Sequence, residues 1–268
     1  MGYCYGNAWL QIGKGLNLSQ FYYNFAAILL YNYIIKEIIL KKGFDLVKNM
    51  QDLAKYIEHT LLLPGATIEN VTNICGEVEK YGFLGVCVNS GYVALAAHLL
   101  AGKEAKIVST CGFPLGAVRT EVKAFEAQKA AEDKADEIDM VMNLSAAKSG
   151  NWDAVTEDIR AVVAAAGVPV KVIIETNLLS DAEKELACKA VMAGGAFCVK
   201  TCTSGMDGGV KLEDVILLKK IVGDRLKIKA SGGIRTRSQV ISLIKAGADY
   251  IGTSTGPLFA KVAEDEQI

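Results

Sequence analysis

The chain has 268 residues, 51% of them hydrophobic and 22% charged, with a net charge of −1. That is enough apolar material for one large core or two small ones, and it excludes a disordered, solvating chain. The near-neutral balance, with a sequence pI near 6.2, leaves no basic field for nucleic acid.

Residues 1–49 differ from the remainder. They hold ten of the twenty aromatics and carry a charge of +3, which leaves −4 for residues 50–268. Residues 15–35 carry no charge, and that length suits a membrane segment. Asn17, Ser19, Gln20, Asn24 and Asn32 interrupt it, no signal-peptide cleavage pattern follows, and a membrane attachment is disfavoured. A weak anchor, an added helix and upstream sequence read before the real start compete. The last is favoured, because MQDLAKYIEHTLL from Met50 reads as a domain beginning. The expected division is an atypical N-terminal extension over 1–49, non-native or disordered, and a folded domain over 50–268.

From Met50 onward, strand-like runs alternate with amphipathic stretches of helical length. The runs are IEHTLL (57–62), LGVCVN (84–89), KIVSTC (106–111), IDMVMN (138–143), VKVIIE (170–175), FCVKT (197–201), KIKAS (227–231) and DYIGTS (249–254). They are short and rich in Val, Ile and Cys, as strands buried on both faces are. Between them lie stretches such as ATIENVTNICGEVEKYG, RTEVKAFEAQKAAEDKA, NWDAVTEDIRAVVAAAG and RTRSQVISLIKAG, several ending in Gly. Ser180 before DAEKELACKAV predicts an N-cap with Glu183 at the capping-box position. Eight such units predict an α/β fold, a (β/α)8 TIM barrel, in preference to an open doubly wound sheet. The pattern before IEHTLL predicts an extra N-terminal helix covering the bottom of the barrel.

Seven scattered cysteines, with no two-residue-spaced pair and only Cys198 and Cys202 close together, read as reduced thiols of a cytoplasmic protein. Two histidines, His59 and His98, offer no zinc-ligand spacing, so no metal or other cofactor is expected.

Chemistry in such a barrel sits at the C-terminal ends of the strands. Lys200 in FCVKT and Lys229 in KIKASGGIR each follow a short apolar run and precede a turn-prone stretch. A free lysine has a pKa of about 10.4, so only about one in a few thousand is a neutral nucleophile near pH 7. Burial and a second cation nearby both lower that value. Strand alternation places Asp139, Lys200 and Lys229 on inward faces, together with Glu58 and Thr60 of IEHTLL and Lys171 of VKVIIE. Five charged groups inside a barrel are expected to pair across its mouth. Gly232 and Gly233 after the seventh strand, and Ser254 and Thr255 after the eighth, stand where such barrels cradle phosphate with backbone N–H groups.

These segments together resemble one family. AKYIEHTLL, VCVN, GFPLGA, EIDMVMN, VKVIIET, VKTCTSG, KASGGIRT and AGADYIGTS, spread from about Met50 to Phe259, are similar to deoxyribose-phosphate aldolase. The resemblance implies a metal-free class I aldolase that cleaves 2-deoxy-D-ribose 5-phosphate to acetaldehyde and D-glyceraldehyde 3-phosphate. It implies that Lys200 forms the Schiff base, that Lys229 is the second lysine depressing its pKa, and that Asp139 takes part in proton transfer. Thr203 and Gly205 of the loop after Lys200 fall on substrate-binding positions. Glu58, Thr60, Lys171 and Cys87 stand behind the reacting groups. The partner is a small sugar phosphate, and a homodimer is implied by some members. The chain departs from the family with Glu58 for Asp, Leu63 for Lys, Ser90 for Pro and TCTSG for TSTG, which leaves the loop beside the phosphate least defined. Another Schiff-base sugar-phosphate aldolase and a non-catalytic sugar-phosphate-binding barrel are the alternatives.

Overall fold

The computed structural model describes residues 53–203 and 208–259. The expected extension over 1–49, the uncharged stretch 15–35 and Gly205 lie outside the described residues. So does most of the expected N-terminal helix, of which only Leu53 and Ala54 are described, both buried.

Eight parallel strands close into a barrel in sequence order. They are β1 Ile57–Leu61, β2 Gly85–Val88, β3 Lys106–Cys111, β4 Glu137–Val141, β5 Val170–Ile173, β6 Cys198–Lys200, β7 Lys227–Ser231 and β8 Tyr250–Thr253. Seven of the eight expected runs contain their strands, β3 and β7 with the expected bounds, and elsewhere the boundaries shift by one or two residues. β4 begins one residue earlier than IDMVMN, at Glu137. Almost every strand residue is buried on both faces, which is why the runs read as continuous apolar segments rather than as an alternation.

The helices around the barrel are α1 Ile68–Tyr81, α2 Val93–Leu99, α3 Thr120–Glu132, α4 Leu144–Lys148, α5 Trp152–Ala166, α6 Asp181–Ala193, α7 Leu212–Val222 and α8 Arg237–Ala246. Their starts are chemically specified. Thr67 and Asn70, Ser180 and Glu183, and Thr236 and Gln239 form capping boxes at α1, α6 and α8, each satisfying backbone donors that a helix start leaves open. Val71, Ile74, Cys75 and Val78 recur at helical spacing on α1 and are buried against the barrel. Among the described residues, no helix is long and apolar enough to cross a membrane.

His59 belongs to the outer face of β1. Its Nε2 contacts Glu77 Oε2 on α1 at 2.7 Å and its Nδ1 lies 3.2 Å from the Thr253 carbonyl. Alternation then turns its neighbour Glu58 inward.

Candidate active site

The barrel interior carries charge where such barrels usually carry packed aliphatic side chains. Lys200 and Lys229 are register partners on β6 and β7, and Asp139 and Lys171 are partners on β4 and β5. Partners on parallel strands project to the same face, so all four side chains converge on the axis. Lys200 Nζ donates to Asp139 Oδ2 at 2.7 Å, and Lys229 Nζ donates to the same oxygen at 2.5 Å. One carboxylate oxygen therefore holds the two amines within two hydrogen-bond lengths of each other. The other oxygen, Oδ1, receives Lys171 Nζ at 3.2 Å. Glu58 pairs with Lys229 and, at 3.2 Å, with Lys171. Cys87 Sγ lies 4.0 Å from Asp139 Oδ2.

The network differs from the sequence expectation in depth. It does not pair across the mouth of the barrel but fills its interior, with Glu58, Asp139, Lys171 and Lys229 all fully buried. The reason is Lys171, which starts low on β5, and a residue the sequence reading passed over. Glu137, at the first position of β4, pairs with Lys171 inside and with Lys106 toward the rim. It shares the parity of Asp139, and the one-residue error at the strand start hid it. Lys229 likewise does not end its strand, since β7 runs two residues further. Gly252 on β8 makes room for it, because a Cβ there would come within 3.1 Å of Lys229 Cε.

Three carboxylates (Glu58, Glu137, Asp139) face three lysines (Lys171, Lys200, Lys229), so the set is neutral as charged pairs. For Asp139, Glu58, Lys229 and Lys171, burial opposes the charge and the neighbours outweigh it. Burial raises the Asp139 carboxyl, but Lys171, Lys200 and Lys229 hold it well below the usual carboxylate range. Glu58 is lowered in the same way against burial by Lys171 and Lys229. Burial pulls Lys229 down, yet Asp139 and Glu58 hold it above an ordinary lysine. Lys171 is also held high, with Asp139, Glu58 and Glu137 overcoming burial. Burial keeps the Cys87 thiol protonated by pushing its pKa up. Lys229 is thus a firm cation beside Lys200.

Above the network a cleft of about 970 Å³ opens at the C-terminal ends of the strands. Of the six network residues, only Lys200 lines it. Leu61, Leu62, Leu63, Pro64, Phe113 and Pro114 form an apolar wall, and Thr60 and Asn89 lie beside them. The rest of the lining includes Thr203, Gly208, Gly209, Ser231, Gly233, Arg235, Gly252, Thr253, Ser254 and Thr255. Thr60 donates to the Glu58 carbonyl and steadies the end of β1. Gly233, at φ +66°, has a backbone that glycine adopts freely. Among the described residues, the amides of Gly233 and Ser254 donate to no backbone carbonyl. Thr255 is tied back by its amide to Thr253 Oγ1 at 3.1 Å and by its hydroxyl to the Ile234 carbonyl at 2.9 Å. Gly232 stands behind the wall, its carbonyl accepting the Val210 amide at 2.9 Å. Arg235, on the cleft and exposed, brings a cation to this wall. It is part of the GGIR segment and had no role assigned from sequence. Leu63, where the family carries lysine, stands exposed at the rim. Among the described residues, no cluster of His, Cys, Asp and Glu is arranged to hold a metal ion.

An ion network in the barrel interior, topped by a single cleft-facing amine, with unclaimed amides on the cleft lining, suits imine chemistry on an anionic substrate. No protein-family model matches the chain. It is 51% identical over 210 residues to the deoxyribose-phosphate aldolase of Thermococcus gammatolerans, covering 76% of this chain and 93% of the relative. It is 48% identical over 223 residues to that of Thermococcus kodakarensis, covering 81% of this chain and 100% of the relative. Among solved structures, the deoxyribose phosphate aldolase of Aeropyrum pernix, described as a tetramer, superposes with a TM-score of 0.77 at 36% identity, covering 85% of this chain and 97% of that one. On fold, site and sequence together, the chain belongs to the deoxyribose-phosphate aldolase family.

Proposed function

We propose that this aldolase cleaves 2-deoxy-D-ribose 5-phosphate to D-glyceraldehyde 3-phosphate and acetaldehyde, reversibly, with Lys200 as the amine that forms the Schiff base. The observation that carries the assignment is that Lys200, alone among the three buried lysines of the network, lines the cleft. Its attack on the substrate carbonyl releases water and leaves an iminium. The iminium accepts the electron pair of the breaking C–C bond as the sugar hydroxyl loses its proton, which frees glyceraldehyde 3-phosphate and leaves an enamine. Protonation of the enamine carbon and hydrolysis then release acetaldehyde and restore the amine.

Asp139 and Lys229 are the relay for those protons. A carboxylate held as low as Asp139 keeps a proton only transiently. Lys229 donates to the same oxygen and holds the relay's charge while Lys200 passes from amine to iminium. Lys171 and Glu58 support the relay from below. The unclaimed amides of Gly233 and Ser254, with Arg235, receive the 5-phosphate. Incubation with deoxyribose 5-phosphate and borohydride, followed by peptide mapping, tests the assignment. The expected adduct is on Lys200, and an adduct on Lys229 exchanges the two roles. Unphosphorylated deoxyribose should show a kcat/KM lower by on the order of a hundredfold, and an equal value contradicts the phosphate wall.

Two features outside the site complete the reading. The Thermococcus kodakarensis relative fits its full length onto 81% of this chain, which supports residues 50–268 as the catalytic unit. A chain beginning at Met50 is expected to keep full activity, and aggregation or loss of activity would count against that boundary. The catalytic unit acts in the cytoplasm as a homodimer. Exposed Val122 and Phe125 on α3 support self-association, and sedimentation at micromolar concentration tests it.

A further inference from the structure

Glu175 is buried, carries a carboxylate, and has a left-handed backbone with φ +53° and ψ +67°. Among the described residues, only one other non-glycine residue has positive φ, Lys134, just past the end of α3. A bulky residue held in that region is kept there by its surroundings. The surroundings are plain. The Ile174 amide donates to the carbonyl of Lys200 at 3.0 Å, and the Thr176 amide donates to the carbonyl of Thr201 at 3.1 Å. These two bonds carry the β5–β6 pairing past the ends of both strands and fix the backbone on either side of Glu175.

The turn changes where the carboxylate goes. Extended alternation would point Glu175 inward with Lys171 and Ile173, adding a fourth anion above the lysine network. The left-handed turn sends it instead onto the loop after β6. Its Oε2 accepts the Thr203 amide at 3.0 Å and the Thr203 hydroxyl at 2.7 Å. Among the described residues no cation pairs with it. Burying a carboxylate without a cation is costly, and the charge-assisted bonds from Thr203 offset that cost. What those bonds hold is Thr203, which lines the cleft together with Lys200.

We propose that Glu175 is a positioning residue that fixes Thr203, beside Lys200 on the cleft, in the place that receives the sugar phosphate. It touches neither the reacting atoms nor the cleft. The inference rests on the cleft being the sugar-phosphate site, and its test separates the two. Glu175→Gly removes the carboxylate and relaxes the backbone constraint at once. Glu175→Gln keeps the length and offers one oxygen where Oε2 now accepts both bonds. For Glu175→Gly, KM for deoxyribose 5-phosphate should rise about tenfold with kcat changed less than about threefold. Borohydride trapping of Lys200 by acetaldehyde, which does not reach the wall, should proceed at the wild-type rate. Glu175→Gln should restore KM to within about threefold of wild type. If Glu175→Gly does not fold, Glu175→Asn serves, because asparagine tolerates the left-handed backbone and is one methylene too short to reach Thr203. A wild-type KM in the Gly or Asn variant overturns the proposal. So does a Gln variant as impaired as the Gly variant, or trapping by acetaldehyde that falls in step with KM. Failure of the wild-type protein to be trapped at Lys200 would instead overturn the function proposed above.

Discussion

Lys123 in the helix layer and Lys200 in the barrel are both buried, and each donates to an aspartate at 2.7 Å. Their surroundings differ in one respect that matters. Lys123 on α3 meets Asp158 Oδ2 on α5 and the Val141 carbonyl at 2.9 Å, while Asp158 Oδ1 accepts Thr120 Oγ1 at 2.9 Å. One cation and one anion close on each other, every strong group is used, and no cleft reaches them. Lys200 shares its carboxylate oxygen with a second amine and faces open space. A buried lysine–aspartate pair is therefore not a sign of catalysis by itself.

Substitutions can sharpen or break that contrast. Lys200→Arg keeps a cation against Asp139, but a guanidinium stays protonated and cannot form an imine. The expected loss in kcat is on the order of ten-thousandfold with an unchanged melting temperature, and residual activity within tenfold of wild type would remove Lys200 from the chemistry. Asp139→Asn takes away the anion common to three lysines. It should lower kcat by about 10² to 10⁴, and borohydride trapping at Lys200 should slow with it. Lys229→Leu should lower kcat by about 10² while leaving Lys200 as the residue trapped after prolonged incubation. A trapped peptide that disappears with Lys229 would reverse the assignment.

Lys123→Met should behave in the opposite way. It leaves Asp158 buried without its cation, which costs about 3–5 kcal/mol of stability. The folded fraction should keep kcat within about twofold of wild type. Urea unfolding and kinetics on the same preparation check both halves. Loss of activity without loss of stability would erase the distinction between the two sites.

The fold was largely legible because its cues are local. Strand runs, capping residues and glycine-ended helices are written in a few neighbouring residues, and Ser180 with Glu183 forms the capping box its spacing predicts. Inward parity brought Glu58, Asp139, Lys171, Lys200 and Lys229 together correctly, since alternation is set by the strand alone. What failed depends on long-range geometry. Glu137 was lost to a boundary one residue wide. The depth of the network was misjudged because parity says which face a side chain takes, not how far down the barrel it lies. Glu175 shares the parity of Lys171, yet its left-handed backbone breaks the alternation that parity assumes. Nothing in VKVIIET announces that turn, because it is imposed by amides bonded to β6 and the loop after it.

The smallest effect expected is a pH effect, and its sign follows from the network. Asp139 and Glu58 are depressed in the folded protein, so the stability they contribute is present above about pH 4 and is lost as pH falls through their folded values. Lys171 and Lys229 are raised, so their contribution is fully present below about pH 10 and is lost only as pH rises through their higher folded values. The two windows overlap from about pH 5 to about pH 10, and across it the network's contribution should be flat. Lys229→Leu removes a cation that holds both carboxylates down, so burial should win back part of the shift. The acid edge of its melting-temperature profile should then begin at higher pH than in wild type, while the alkaline edge loses one of its two buried lysines. Thermal melts from pH 3 to pH 11 on the two proteins measure this, and subtracting the profiles cancels the surface carboxylates they share. An acid edge at the same pH in both would mean that Lys171 and Lys200 suffice to hold Asp139 and Lys171 to hold Glu58, and that Lys229 stands beside Lys200 for chemistry without contributing to the stability of the barrel.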